Sequence, residues 1–209
     1  IGANVIVFDS RGEPIVQQVI DGRLMAVSVV CERSSRIVAA VQQESPHTWP
    51  PAVGVSARAR TVPVDESLRS RVQALLSRLG WFGLAQLQFL RPPGDEPHLL
   101  EINGRFYGSL ALAVRSGVNL PALWARLATD RQISPPAEAR VGQVYQWLSR
   151  DLRWAVRAAD GRRGSALPRL AETLATACTS VHSVWSLRDP APALRHYGGQ
   201  LLERWTPRG

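Results

Sequence analysis

Apolar side chains recur at every second position through short runs in the first half of the chain, the spacing of strands with one face in a core. Asn4-Val5-Ile6-Val7-Phe8 is the first run, followed by the turn-forming Asp9-Ser10-Arg11-Gly12-Glu13-Pro14. Ile15-Val16-Gln17-Gln18-Val19-Ile20 and Arg23-Leu24-Met25-Ala26-Val27-Ser28-Val29-Val30 flank Asp21-Gly22, a strong turn signal between apolar runs. Arg36-Ile37-Val38-Ala39-Ala40-Val41 continues the series, so a small, mostly antiparallel sheet is expected. Residues 45–63 carry no clean period and contain Pro46, Pro50, Pro51 and Gly54, which predicts a long irregular loop of the functional or mobile kind. Its Arg58 and Arg60 could reach a phosphate or a substrate carboxylate, or simply be solvated.

The period then lengthens. Leu68, Val72, Leu75, Leu76 and Leu79 form a helical stripe behind Asp65-Glu66-Ser67, whose acidic side chains suit the positive end of a helix, and Gly80 closes it. Residues 107–116 predict a short helix ending at Gly117. Asn119 caps the next, with Pro121 near its start and Leu120, Leu123, Trp124 and Leu127 on one face. Pro135-Pro136 marks a seam, beyond which helical patterns dominate: residues 142–159, a loop at 161–164, residues 167–177, then a strand over 181–187. The expected class is α+β, divided into residues 1–134 and a mainly helical extension over 135–209. Trp147, Trp154, Trp185 and Trp205 in that extension read as packing anchors rather than base-stacking platforms.

Between the two helical stretches lies the segment with candidate chemistry. In Leu84-Ala85-Gln86-Leu87-Gln88-Phe89-Leu90, Gln86 and Gln88 share one face; in Leu99-Leu100-Glu101-Ile102-Asn103, Glu101 and Asn103 do the same while Leu100 and Ile102 face away. The connection, Arg91-Pro92-Pro93-Gly94-Asp95-Glu96-Pro97, is rich in turn residues. An antiparallel hairpin sets Gln88 opposite Glu101 and Gln86 opposite Asn103, and a one-residue slip would turn this polar face into the core. Four oxygen-bearing side chains on one patch suit Mg²⁺, a hard cation that needs only one or two protein carboxylates when phosphates and water complete its shell. The plain alternative is a surface hairpin with a solvated polar side.

Composition narrows the classes. A chain of 209 residues, 45% hydrophobic and 20% charged, is ordinary for a globular protein with a real core. Neither a membrane-length apolar run nor a signal peptide with a basic start is present, so a cytoplasmic setting is the default. Cys31 and Cys178 have no metal-like spacing and imply neither a disulfide framework nor a zinc site. The net charge is +8, and all 25 basic residues are arginine. Anionic ligands suit arginine's planar fork. The arginines are scattered through helical patterns without a recognised nucleic-acid module, which argues against nucleic acid as the partner.

The segment Gly83-Leu84-Ala85-Gln86-Leu87-Gln88-Phe89, followed by Leu99-Leu100-Glu101-Ile102-Asn103-Gly104-Arg105-Phe106-Tyr107-Gly108-Ser109-Leu110, resembles the C-terminal half of ATP-grasp enzymes. The likeness is to the carbamoyl-phosphate-synthase-like and carboxylate–amine ligase branch, spans roughly residues 14–130, and includes Gly117-Val118-Asn119-Leu120-Pro121. The resemblance implies an ATP-grasp C-terminal lobe with a mostly antiparallel sheet flanked by helices. It makes Glu101 and Asn103 ligands of Mg²⁺ (or Mn²⁺) bridging the ATP phosphates, with Gln88 the further metal-side residue. Arg105 takes the place of the arginine facing the transferred phosphoryl group. Gln17, Gln18, Val19 and Ile20 resemble the hinge strand that brackets adenine.

The implied activity is an ATP-dependent ligase that activates a carboxylate as acyl phosphate for attack by an amine or thiol. Its partners would be a small-molecule carboxylate and amine, and a homo-oligomer stays open. Two departures stand out. Gly104 replaces the proline usual after Glu-x-Asn, and the family's phosphate-gripping lysines, which lie upstream of the hinge strand, have no counterpart in a chain without lysine. A missing N-terminal half or partner chain is therefore expected, and a non-catalytic nucleotide-binding or interaction module is the alternative.

Overall fold

A computed structural model describes residues 4–8, 11–51, 54–134, 138–157, 166–186 and 189–195. Among the described residues nine strands and five helices follow in the order β1 (Asn4–Phe8), β2 (Pro14–Gln18), β3 (Arg23–Cys31), β4 (Ile37–Trp49), β5 (Val55–Val62), α1 (Glu66–Arg78), β6 (Gly83–Arg91) and β7 (His98–Asn103). Next come α2 (Leu110–Arg115), α3 (Leu120–Ala128), β8 (Val144–Gln146), α4 (Leu148–Arg157), α5 (Ala166–Ala177) and β9 (Val181–His182). Seven strands form one sheet in the order β7-β6-β3-β4-β5-β8-β9, antiparallel throughout except for the β8–β9 pair.

The strand β3 lies inside the sheet, between β6 and β4, and is buried from Met25 to Cys31 because both of its faces are covered. Met25, Val27, Val29 and Cys31 join Ala85, Leu87 and Phe89 of β6 beneath Leu68, Val72 and Leu76 of α1. Across the sheet, Val30 and Leu84 pack with Tyr107, Ala113, Val118 and Leu120. The two helices that begin as expected are held by side-chain caps: Asp65 accepts from the Leu68 amide and Asn119 from the Ala122 amide, contacts worth about 1 kcal/mol each. Among the described residues no helix is long and apolar enough to cross a membrane.

Several local expectations are corrected. Residues 45–63 are not an irregular loop: β4 runs on to Trp49, and Val55–Val62 pairs with it as β5. Register shifts between Glu44 and Thr48 bracket Pro46, so the proline, which has no N–H to give a ladder, sits in an irregularity that also breaks the apolar alternation. Asp21-Gly22 does not close a hairpin, since β2 pairs with β1 while β3 pairs with β4 and β6. Instead Gly22 passes against β6, where a Cβ would lie 2.8 Å from the Arg91 carbonyl carbon.

The single helix expected over 142–159 is the strand β8 followed by α4. Val144, Tyr145 and Gln146 pair with Arg60, Ala59 and Arg58 and so cover what would otherwise be an open edge of β5. The last strand is only Val181–His182, and Leu187 lies outside the described residues, as do Pro135-Pro136, the loop at 161–164 and Trp205.

Candidate functional site

The β6–β7 hairpin has the expected register, with Gln86 opposite Asn103 and Gln88 opposite Glu101. A shift between Gln88 and Phe89 leaves Leu100 as the extra residue of a bulge, so it is exposed rather than packed, while Ile102 packs against the α1 side of the core. Gln86, Gln88, Glu101 and Asn103 all line one pocket of about 310 Å³, together with Arg105 from the turn that follows β7. Asn103 Nδ2 donates to Glu101 Oε1 at 2.8 Å, and Arg105 Nη1 donates to the Phe106 carbonyl at 3.1 Å. Among the described residues no basic side chain pairs with Glu101, in a chain that carries 25 arginines.

The surroundings keep this patch in shape. Gln43 of β4 exchanges hydrogen bonds with Ser109 at 2.9 and 3.1 Å, tying the segment after β7 to the middle of the sheet. Tyr107 is buried in the same segment, and burial pushes its phenol far above the ordinary range, so the ring stays neutral. Gly104 has a packing reason: a Cβ there would come within 2.7 Å of the Trp81 ring, so the glycine in place of proline lets that indole lie over the turn.

A fully protein-built metal cage does not exist among the described residues, where no group of three or more His, Cys, Asp or Glu side chains could hold an ion. The hairpin offers one carboxylate, Glu101, and amide oxygens from Asn103 and Gln88. That donor set fits a hard cation delivered with phosphates, which supply the remaining oxygens, and does not fit a soft metal. Gln17 and Gln18 end β2, and Val19 and Ile20 lead from it towards β3, whose contribution to the pocket begins at Leu24.

Sequence reasoning missed the opposite wall. Ser45 of β4 and Ser56 of β5, joined at 2.6 Å, reach the pocket beside Tyr145, Trp147 and Arg150. It also misjudged Arg58, which is buried at the junction of β5, α4 and α5. Its guanidinium donates to Asp151 at 2.8 Å, Glu172 at 2.6 Å and Thr173 at 3.0 Å. His47 shares Asp151 at 2.7 Å and stacks on Trp154 with ring centroids 3.3 Å apart. Burial pushes the Asp151 carboxyl up, but hydrogen bonds from His47, Gln146 and Arg58 outweigh it and hold the group below its ordinary range. Arg60 stays at the surface near Glu44, at 3.4 Å.

A mostly antiparallel sheet flanked by helices, with a Glu-x-Asn hairpin over an open pocket, defines an ATP-grasp fold. Within that superfamily the family described as ATP-grasp in the biosynthetic pathway with Ter operon matches residues 11–150, and the chain belongs to it. Among curated proteins none matches the sequence.

Solved structures share the fold at low identity. Biotin carboxylase from Campylobacter jejuni, in a complex with β-γ-ATP, is 12% identical with a TM-score of 0.50 over 64% of this chain and 31% of its own. The ATPase subunit of phosphoribosylaminoimidazole carboxylase from Aquifex aeolicus is 12% identical, with a TM-score of 0.53 over 69% of this chain and 46% of its own. Rhizobium etli pyruvate carboxylase is 11% identical, with a TM-score of 0.52 over 64% of this chain and 13% of its own. The chain thus spans less than half the length of each of these three.

Proposed function

We propose that this chain is the nucleotide- and metal-side portion of an ATP-dependent carboxylate–amine ligase, of the carbamoyl-phosphate-synthase-like branch. The observation that carries the reading is the hairpin register, which sets Gln86, Gln88, Glu101 and Asn103 on one face of a single pocket with Arg105 beside them. Glu101 and the amide oxygens of Asn103 and Gln88 would hold Mg²⁺ or Mn²⁺ carried by ATP. The bound cation supplies charge neutralisation at the phosphates. Arg105 is the catalytic residue: its guanidinium disperses charge on the phosphoryl group passing to the substrate carboxylate, in a reaction where positioning and electrostatics supply most of the rate. An amine, or a thiol, then attacks the acyl phosphate and phosphate leaves.

In this reading residues 1–134 carry the nucleotide and metal side, with Gln17, Gln18, Val19 and Ile20 offering backbone groups to adenine, and Tyr145, Trp147 and Arg150 of the extension stand on the far wall. The β-γ-ATP complex of the Campylobacter jejuni relative is in line with a nucleotide here. A second reading is favoured by one feature, the absence of lysine from the sequence. Either another segment or partner chain supplies the grip on the phosphates, or the chain binds nucleotide without turning it over. Phosphate release from Mg-ATP, followed with a small carboxylate and an amine in the intact enzyme, separates the two. Glu101→Ala abolishes turnover in the first reading while the far-ultraviolet circular dichroism stays native. Near-normal turnover in that variant defeats the metal assignment, and nucleotide binding without release by the wild type favours the second reading.

A further inference from the structure

The pocket has two ends of different character. One is the β6–β7 hairpin with Arg105, which the proposed phosphoryl chemistry uses in full. The other is Arg150, in the first turn of α4, and it has no role in that chemistry. Its guanidinium carbon lies 3.6 Å over the Trp147 ring, a stacked arrangement that pins the planar group without using any of its five N–H donors. Trp147 and Arg150 both line the pocket, next to the linked hydroxyls of Ser45 and Ser56.

Among the described residues no carboxylate pairs with Arg150. The adjacent Asp151 points the other way and is taken up by His47, Arg58 and Gln146. Nor does Arg150 serve its helix, because a cation in the first turn faces the positive end of the dipole. Beyond the stack on Trp147, local stability gives no reason for an arginine at this position, and among the described residues no carboxylate answers it at this end of the pocket.

The geometry points to Arg150 as the residue that grips a non-reacting carboxylate of the small substrate, which makes that substrate a dicarboxylate or an amino acid. The inference rests on the ligase reading of the pocket. A single stacked guanidinium with its edge free matches the two oxygens of a carboxylate in the bidentate manner. The pocket, about 310 Å³ in all, is at the small end of ligand sites, and a substrate that shares it with phosphate groups must be small. Phosphate groups already have a place at the opposite end, beside Arg105.

The test is calorimetric titration of the whole chain, in the presence of Mg-ADP, with succinate, butyrate and the uncharged succinamide as probes and inorganic phosphate as competitor. Succinate is expected to bind more tightly than butyrate, and succinamide not at all. Arg150→Gln is expected to weaken succinate at least tenfold and Arg150→Lys to recover part of the loss, with the melting temperature and Mg-ADP affinity of both variants unchanged. Equal succinate affinity in wild type and Arg150→Gln overturns the inference, as does the absence of succinate binding beside bound Mg-ADP. Tight phosphate binding that depends on Arg150 and displaces succinate overturns the carboxylate class. Arg150-dependent succinate binding by a protein that ignores Mg-ADP leaves this inference standing and removes the ligase reading instead.

Discussion

Asp151 is wholly buried and accepts hydrogen bonds from His47, Gln146 and Arg58, whereas Glu101 is exposed at the pocket wall with, among the described residues, one side-chain hydrogen bond, from Asn103. Both carboxylates belong to an arginine-rich chain, yet only the buried one is surrounded by cationic and amide donors. The difference is one of accounting for desolvation. A charge removed from water must be answered by fixed donors, or folding would expel or neutralise it. A carboxylate left in an open pocket pays no such penalty, so nothing in folding calls for it to stand unpaired among 25 arginines. The closed cluster therefore reads as a clamp joining α4 and α5 to β4 and β5, and the open one is free to serve as half of the proposed ligand site.

The largest effect is expected from removing the charge at the closed end. Asp151→Asn keeps the shape of the side chain but strips Arg58 of its buried partner, leaving it Glu172, which is itself mostly exposed. Breaking a buried ion pair from one side typically costs 3–5 kcal/mol. With Glu172 remaining, a loss of about 3 kcal/mol is expected, read as a fall of about 1.5 M in the urea midpoint for a slope of roughly 2 kcal/mol/M. A loss below about 1 kcal/mol would make the cluster a bystander rather than a clamp.

Acid should erase the same difference more gradually. The ordinary value for Asp151 is 3.8, and its native carboxyl lies below that, so the unfolded chain binds the extra proton first. Stability from this group is thus fully present above about pH 4–5, where both states are ionised, and is lost as pH falls through the lowered native value. Asp65 adds in the same direction, held low by Arg91 and by the Leu68 amide. In urea melts between pH 2.5 and 7, the gap between wild type and Asp151→Asn is expected to be constant at neutral pH and to narrow below pH 4. A gap that widens on acidification would mean that the native carboxyl is raised, not lowered.

How much of this was legible in the sequence depended on how far apart the partners lie along the chain. Gln86, Gln88, Glu101 and Asn103 belong to neighbouring runs with clean alternation, so their pairing follows from the pattern and the turn alone. The bulge at Leu100 does not, because one extra residue leaves no mark on a run of leucines. Arg58 looked like a loop arginine because Pro46 and two register shifts hide the strands on either side, and its partners are 93 and 114 residues away. The three residues of β8 are too few to show a period beside the ten of α4, so the far wall of the pocket merged into a helix. Gly104 was visible as a departure, but its cause, the Trp81 ring, is a contact that only the fold brings about.

The smallest expected effect falls at the open end, and it is the one that tests the comparison from the other side. Glu101→Gln removes the charge but keeps an oxygen able to accept from Asn103 Nδ2, at a position with no ion pair among the described residues. Substitutions at exposed sites without such partners usually stay within about 0.5 kcal/mol. The urea midpoint of Glu101→Gln is therefore expected to match wild type within that margin, while Mg-nucleotide affinity falls. The two readings must separate in one protein for the contrast to hold. Were Glu101→Gln to lose more than about 2 kcal/mol, the size reached by truncating a buried network, the carboxylate would be bearing structural weight. Its unpaired state would then no longer mark a ligand site.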